Sequence, residues 1–280
     1  MKIIGRFADI VPFSLGIPAL IWQFFFFYTP LLFVVLLSFK SGSLEYFYPF
    51  FASSYTLIIV RTILFALANA FFCVLICYPV TYWIAFNGGR WKDTLLALLI
   101  IPFWTTYLLH VYAWMFVLER GGVLNTFLLK IGLIGAPIHF LNTPFAIMLV
   151  MIYCNLPFMF LPLYTALEKF DARLFEASYD LGATWWQTFW RVVVPETFPG
   201  IRSGFFLVLV IAFGEFAIPE LIGGDKLMFV GSVITQYTTG AKTASLGAAF
   251  TLYTSLILLA LIVITYFMTR RFMTRPLFKS

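Results

Sequence analysis

Two carboxylates inside an otherwise apolar segment are the side chains whose type and spacing first suggest chemistry. Glu215 and Glu220 interrupt the apolar run between Arg202 and Ile222. A charged side chain at the centre of a lipid-embedded helix costs about 2.5–3.5 kcal/mol on insertion scales, so Glu215 should face the interior of a helix bundle or an aqueous cavity. The two residues would lie ~140° apart around a regular helix. Pro219 removes one backbone donor and can bend that helix, so that both carboxylates border one pathway.

A carboxylate in such a pathway is suited to binding ammonium groups. A diammonium or triammonium solute can donate charge-assisted hydrogen bonds to it, and the faces of Trp104, Tyr107 and Trp114 can add cation–π contacts. The alternative is a structural role, in which Glu215 pairs with Arg61 or accepts hydrogen bonds from Ser, Thr or Asn on a neighbouring helix. The second carboxylate would then lie at the outer face of the membrane. Both interpretations stay open on the residues alone.

Motifs for nucleotide hydrolysis, metal binding and redox chemistry are absent from the sequence. It contains no G-x-x-x-x-G-K-[ST] loop, no H-E-x-x-H and no C-x-x-C. His110 and His139 are its two histidines, too few for a haem or metal cluster. We therefore predict no metal site and no cofactor in this chain. Any energy-consuming work would need a partner or an ion gradient.

A dense polar cluster lies outside the apolar runs. Asp171 is a candidate N-cap of a short helix, and Gly182 suits the left-handed position that ends one. Thr184, with Gln187 three residues later, forms the pattern of a capping box that opens a second helix. We call this helix–glycine–helix segment, residues 171–195, the elbow.

An aromatic stripe follows in the second helix of the elbow. Trp185, Phe189 and Val193 recur every four residues, and Pro195 and Pro199 are expected to end this helix before the next apolar segment. Tryptophans anchored at lipid headgroups would explain such a stripe in a simple interfacial connector. They do not explain a glycine-broken acidic helix beyond them, which is costly to order unless it docks against something.

The elements that must hold these residues are membrane helices. The chain is 62% hydrophobic and 11% charged, with a mean hydropathy of +0.97, far from the average of soluble domains. Long charge-free runs exceed the ~20 residues that a helix needs to cross ~30 Å of hydrocarbon, and the lack of strand alternation argues against a barrel. We predict an all-α membrane protein that forms one domain, residues 1–280, with six transmembrane helices. The predicted spans are 14–38, 57–86, 94–118, 143–165, 202–222 and 247–269.

Basic residues predict the orientation of these spans. An even number of spans puts both termini on one side, and 12 of the 18 Lys and Arg residues then lie on that side. The opposite face receives Lys40, Arg61, Arg120, Lys130, Lys226 and Lys242. This bias predicts cytoplasmic N and C termini and a cytoplasmic loop over 166–200, between the fourth and fifth spans. The net charge of +6 is then explained by orientation rather than by nucleic-acid binding.

The elbow resembles the cytoplasmic signature loop of bacterial ABC importer permeases. That pattern is E-A-A, three residues, Gly, nine residues and I-x-L-P, and this chain has Glu176-Ala177-Ser178, Gly182 and Val192-x-Val194-Pro195. The resemblance implies a type I ABC importer permease-like fold, in which the first short helix inserts into a groove of an ATP-binding subunit. The implied coupling residues are Glu176, Ala177, Ser178, Asp180, Gly182 and Pro195.

Further motifs are similar to the spermidine/putrescine branch of these permeases. They are Ile101-Pro-Phe-Trp-Thr105, Tyr112-Ala-Trp114, Gly122-Val-Leu-Asn125, Leu156-Pro-Phe-Met159, Pro162-Leu-Tyr164 and Gly214-Glu-Phe-Ala-Ile-Pro-Glu-Leu221. Relatives that carry other small amines, cations or opine-like solutes share much of this set. By resemblance, the chain is not an enzyme but a permease subunit of an ATP-driven importer in the bacterial inner membrane.

The resemblance also implies the partners. A dimer of ATP-binding subunits would hold the ATP and Mg²⁺, a solute-binding protein outside the cytoplasm would deliver the solute, and a second permease chain, similar or identical, would complete the membrane part. The outer segment 119–142, with Val123, Phe127 and Ile131 at helical spacing, would either help to dock that binding protein or lie on the lipid surface. Two other classes stay open: an ion-coupled secondary transporter, although we find no repeat, and a membrane-embedded enzyme, although we find no nucleophile–base pair.

Overall fold

The computed structural model describes residues 16–40, 44–224, 227–239 and 244–273, and the regular elements within these ranges are helices. The longer ones are α1 Gly16–Ser38, α2 Ser53–Asn87, α3 Lys92–Ile100, α4 Tyr107–Leu118, α5 Val123–Lys130, α6 Pro144–Glu168, α7 Arg173–Asp180, α8 Trp185–Phe213, α9 Ala217–Gly223, α10 Val230–Thr239 and α11 Ala244–Met273. Short 3₁₀ segments cover Glu45–Phe51, Gly89–Trp91 and Ile101–Trp104. The π-helical turns Phe24–Tyr28 and Phe189–Val193 lie inside α1 and α8.

Helices long and apolar enough to span a membrane account for most of the described chain. Helices α1, α2, α6, α8 and α11 are each long and apolar enough to cross a membrane. A sixth span is formed if the bent pair Gly89–Trp104 and Tyr107–Lys130 is counted as one. The predicted all-α fold of membrane-spanning helices is confirmed, and the first, second, fourth and sixth spans lie within a few residues of their predicted bounds.

The third span is broken, so the prediction of one continuous helix over 94–118 is wrong. Its two halves are bent by 87°, because Pro102 has no N–H to continue the helix and Thr105 and Thr106 take extended backbone angles. The carbonyl oxygen of Pro102 accepts hydrogen bonds from the hydroxyl of Thr105 (3.0 Å) and from Nε2 of His110 (3.1 Å). These side chains replace donors that a straight helix would have supplied.

The fifth span begins earlier than the predicted 202–222 and ends earlier. Helix α8 runs through Pro195 and Pro199 without interruption, so the expectation that these prolines end the elbow's second helix is wrong. The π-helical turn Phe189–Val193 comes directly before Pro195, which is the second residue of the following α-helical part, where a missing N–H costs little. The helix instead ends at Phe213, and α9 follows after the break at residues 214–216.

Close backbone contact joins the fourth and fifth spans. A Cβ on Gly200 would lie 2.3 Å from Cβ of Ala166, and a Cβ on Gly204 would lie 2.7 Å from Sδ of Met159. Small residues four positions apart let membrane helices approach this closely. The pair Gly200-x-x-x-Gly204 is thus what allows α8 to pack along α6.

The chain divides into two compact units. One comprises Met1–Ser53 and Ile234–Leu256, and the other comprises Ser54–Val233 and Ile257–Ser280. In the first unit the buried ring of Phe50 lies 4.9 Å from that of Phe250. In the second unit α2, α6 and α8 form the core that positions the elbow.

Candidate docking elbow and pathway residues

The first helix of the elbow, α7, is closed by local hydrogen bonds at both ends. The N-cap is Ala172, and Asp171 directly precedes it. The carboxylate of Asp171 accepts a hydrogen bond from the N–H of Arg173 (3.0 Å). At the other end Gly182 has a φ of +76°; its N–H bonds to Tyr179 O (2.8 Å), and the N–H of the next residue bonds to Ser178 O (3.0 Å). This pair of bonds is the Schellman motif, which requires the left-handed conformation that glycine adopts without strain.

The capping box predicted for the second helix is confirmed. The N–H of Thr184 bonds to Oε1 of Gln187 (2.8 Å), and the N–H of Gln187 bonds to Oγ1 of Thr184 (3.4 Å). The elbow is therefore two helices joined by four residues, 181–184, and the backbone groups at both helix ends are hydrogen-bonded by the elbow's own backbone and side chains.

The inner face of the elbow holds its two helices together. Ser178 is buried, and its hydroxyl lies 2.9 Å from that of Thr188, which is also buried. The ring of Phe175 packs against Phe86 at 5.2 Å and Phe170 at 5.0 Å. Of the residues implied to couple to a partner, Ser178 thus faces inward and positions α7.

The outer face presents a mixed acidic and apolar surface. Glu176, Ala177, Asp180 and Gly182 are exposed, whereas Pro195 is half-buried within α8. Leu181 is 88% exposed, the highest value for a large apolar side chain among the described residues. The apolar surface of this leucine is therefore available for burial against a partner. Leu181 is not among the residues that the signature loop implies for coupling.

An aromatic cluster connects the elbow to α2. The ring of Phe189 packs against Tyr78 (5.6 Å), Tyr82 (5.6 Å) and Trp185 (5.3 Å). The residues of the cluster are Tyr78, Tyr82, Phe86, Phe170, Phe175, Trp185 and Phe189. The aromatic stripe on the elbow was predicted, but its partners, spaced four residues apart on α2, were not.

Polar contacts add a second connection near the elbow. The hydroxyl of Tyr78 lies 3.1 Å from that of Thr197 on α8. Lys92, at the start of α3, forms an ion pair with Glu168 at the end of α6 (3.2 Å), and Tyr164 donates to the same carboxylate (3.2 Å). The first residues of α3 are thereby held to the end of the helix that leads into the elbow.

Glu215 lies in the break between α8 and α9 and is 8% exposed. Its Oε1 accepts the N–H groups of Ala217 (2.9 Å) and Ile218 (3.3 Å), the first two of α9. Its Oε2 accepts the hydroxyl of Tyr107 (2.5 Å). The carboxylate is therefore hydrogen-bonded by a tyrosine and by the backbone, and these donors differ from those that the sequence suggested.

The other candidate pathway residues are more accessible. Trp104, beside the break in the third span, is 81% exposed, and Glu220 on α9 is exposed. Trp114 is half-buried, with its ring 5.3 Å from that of Tyr153. Of the five candidates, the described contacts join Tyr107 to Glu215. Among the residues with a described structure, no group of three or more His, Cys, Asp or Glu side chains could hold a metal ion.

Comparison with known proteins decides the family. The profile described as binding-protein-dependent transport system inner membrane component matches residues 77–275. The chain belongs to this family. Two relatives in it are the spermidine/putrescine transport system permease proteins PotB of Haemophilus influenzae, 36% identical over 91% of this chain and 92% of that one, and of Escherichia coli, 37% identical over 78% and 79%. The resemblance inferred from the elbow and the branch motifs is confirmed.

Solved transporter structures share the fold of this family member. A bacterial alginate ABC transporter in complex with an alginate pentasaccharide-bound periplasmic protein has a chain that matches with a TM-score of 0.77 and 19% identity, over 98% of both chains. The MetNI methionine ABC transporter in an inward-facing conformation matches with a TM-score of 0.53 and 21% identity, over 79% of this chain and 97% of that one. The predicted permease fold is thus confirmed.

Proposed function

We propose that this chain is a permease subunit of an ATP-driven ABC importer and that its solutes are polyamines of the spermidine and putrescine type. The similarity to two spermidine/putrescine permeases over most of the chain supports the solute class. The observation that supports the mechanism is the geometry of the elbow. The backbone groups at its turn are hydrogen-bonded within the elbow, and its exposed face combines Leu181 with the acidic Glu176 and Asp180. Burial of Leu181 in a complementary groove of a partner would favour docking of this face.

The elbow is the proposed contact with an ATP-binding subunit. Glu176, Ala177 and Asp180 lie on the docking surface, Gly182 fixes its shape, and Ser178 holds it to α8. Force on α7 would pass through the aromatic cluster to α2 and along α8 itself, because packed rings and continuous helices move as rigid bodies. Pro195 would lie where α8 enters the membrane, at the junction between the elbow and the span. The ATP and Mg²⁺ would be bound and used in the partner, so that this chain catalyses no reaction.

The remaining partners follow from the same proposal. A second permease chain, most simply a similar paralogous one, would enclose a central pathway with this chain, and a solute-binding protein outside the cytoplasm would deliver the polyamine. Helix α5 and its surroundings, residues 119–142, would lie on that side, and both termini would be cytoplasmic in a single membrane domain of the inner membrane. Along the pathway, exposed Trp104 and Glu220 are suited to ammonium groups through cation–π and charge-assisted contacts. Tyr107 and Trp114 would line the same route.

A valine at Gly182 tests the elbow. A non-glycine residue in the left-handed region costs about 1–2 kcal/mol, and a β-branched one more. Gly132, after α5, is the matched control: its φ is +73°, it ends its helix with the same pair of hydrogen bonds, and no atom lies within 4 Å of an added Cβ at either glycine. Both variants therefore carry the same local strain in different parts of the protein.

The measurement is ATP-dependent uptake of putrescine and spermidine by the assembled transporter in proteoliposomes, together with the yield of the complex with the ATP-binding subunits. We expect Gly182→Val to lose assembly or to hydrolyse ATP without transport, while Gly132→Val assembles normally. Normal uptake by Gly182→Val would refute the elbow's role. Uptake of unrelated solutes but not polyamines by the wild type would refute the solute class alone.

A further inference from the structure

A hydrogen bond joins the break in the third span to the residues that directly follow the fifth span. In the third span, helix α4 restarts at Tyr107 after the extended residues 105 and 106. Glu215 lies directly after the fifth span, between the end of α8 and the start of α9. The bond from the hydroxyl of Tyr107 to Oε2 of Glu215, at 2.5 Å, connects residues 108 positions apart in the chain.

The break at Glu215 is also enclosed by α10. A Cβ on Gly231 would lie 2.6 Å from the carbonyl oxygen of Glu215 and 2.7 Å from that of Gly214, so the start of α10 packs directly on the backbone of the break. The N–H of Val230 bonds to Oγ1 of Thr62 on α2 (3.1 Å). The break therefore contacts α4 through the Tyr107 side chain and α10 through the backbone near Gly231.

We propose that Glu215 is a positioning residue, which makes the broken third span and the fifth span move together, and that it does not bind the solute. This inference rests on the proposed transport function. Both oxygens of the carboxylate are already occupied, and the side chain is almost inaccessible. Separating Tyr107 from Glu215 would leave a buried charge short of one donor, and that penalty favours concerted motion of the two spans over separate motion.

A double-mutant cycle tests the coupling. Tyr107→Phe removes the donor alone, and Glu215→Gln removes the charge at nearly constant volume. Tyr112→Phe, with an exposed ring on the same helix, is the control. Each variant would be reconstituted with the wild-type partner subunits, and the KM and Vmax of ATP-dependent putrescine uptake would be measured beside the yield of assembled complex.

We expect Tyr107→Phe and Glu215→Gln each to lower Vmax about tenfold, the equivalent of about 1.4 kcal/mol, with KM changed less than twofold. The double variant should be little slower than Tyr107→Phe alone, since Tyr107→Phe removes the charge-assisted bond that Glu215→Gln weakens. Three results would overturn the inference. They are a several-fold rise in KM for Glu215→Gln, a roughly hundredfold loss of Vmax in the double variant, as expected if the two substitutions act independently, and normal rates in all variants.

Two controls keep the outcome interpretable. If Glu215→Gln does not assemble, Tyr107→Phe, which lacks one oxygen, still distinguishes a change in Vmax from a change in KM. If the wild type and Tyr112→Phe show no ATP-dependent polyamine uptake, the proposed function fails. If they transport normally and the cycle is additive, the positioning role alone fails.

Discussion

Replacing Leu181 with alanine should weaken the docking of the ATP-binding subunit about 30-fold. Leu181 is 88% exposed at the tip of α7, so nearly its whole side chain is available for burial at an interface. Burying a leucine side chain contributes about 1.5–3 kcal/mol, of which alanine forfeits the larger part, about 2 kcal/mol. Because each ~1.4 kcal/mol is a factor of ten in Kd, the expected change is large enough to measure.

The assay is the Kd of the purified ATP-binding subunit for the permease pair in lipid nanodiscs, determined by titration with a fluorescently labelled subunit. Ile131→Ala is the matched control, since Ile131 is 50% exposed and directly precedes Gly132 as Leu181 precedes Gly182. A Kd within twofold of the wild type for Leu181→Ala would refute the assignment of this face to docking. Equal weakening by both variants would point to general destabilisation instead.

Two further predictions concern how force leaves the elbow. Gly200→Ala should lower the melting temperature and the yield of the complex, because its Cβ would meet Ala166 at 2.3 Å and overpacking costs about 1–3 kcal/mol. The control Gly121→Ala, with no atom within 4 Å of its Cβ, should leave both unchanged. Equal melting temperatures of the two variants would contradict the close packing of α6 and α8. Phe189→Ala should leave the ATP-binding subunit bound and hydrolysing ATP but reduce polyamine uptake per ATP several-fold, since it removes the ring that joins Trp185 to Tyr78 and Tyr82. Uptake per ATP equal to that of the exposed-ring control Phe116→Ala would exclude the aromatic cluster as the route.

The elbow could be predicted from the sequence because its signals are local. Gly182 needs its left-handed conformation whatever surrounds it, and the Thr184–Gln187 capping box depends on residues three positions apart. The spans were recognisable for a similar reason, since hydropathy over ~20 residues reflects the solvent rather than the packing.

The breaks could not be predicted in the same way, because proline has more than one outcome in a helix. At Pro102 the helix ends, and the carbonyl oxygen of Pro102 accepts hydrogen bonds from the side chains of Thr105 and His110. At Pro195 the helix continues, because the proline follows a π-helical turn. Which outcome occurs depends on neighbours that the local sequence does not reveal.

Long-range contacts were the other limit. The bond from Tyr107 to Glu215 and the packing of α2 on Phe189 join residues about a hundred positions apart, and no periodicity signals them. Helix α10 gives no membrane signal in the sequence either, because its ten residues are too few and alternate between apolar and polar types. The Gly200-x-x-x-Gly204 pattern, by contrast, was present in the sequence and could have predicted the contact of the fourth and fifth spans.

The central claim is that the elbow transmits the work of a nucleotide-hydrolysing partner to the membrane helices. Its most direct test is site-specific photocrosslinking in the assembled transporter, with the crosslinking amino acid placed at Asp180 on the elbow and, as the reference, at Lys130 on α5. We predict crosslinks from position 180 to the ATP-binding subunit that change in yield between nucleotide-free and ATP-bound states, and none from position 130. Crosslinks from position 180 to lipid alone, in both states, would contradict the account.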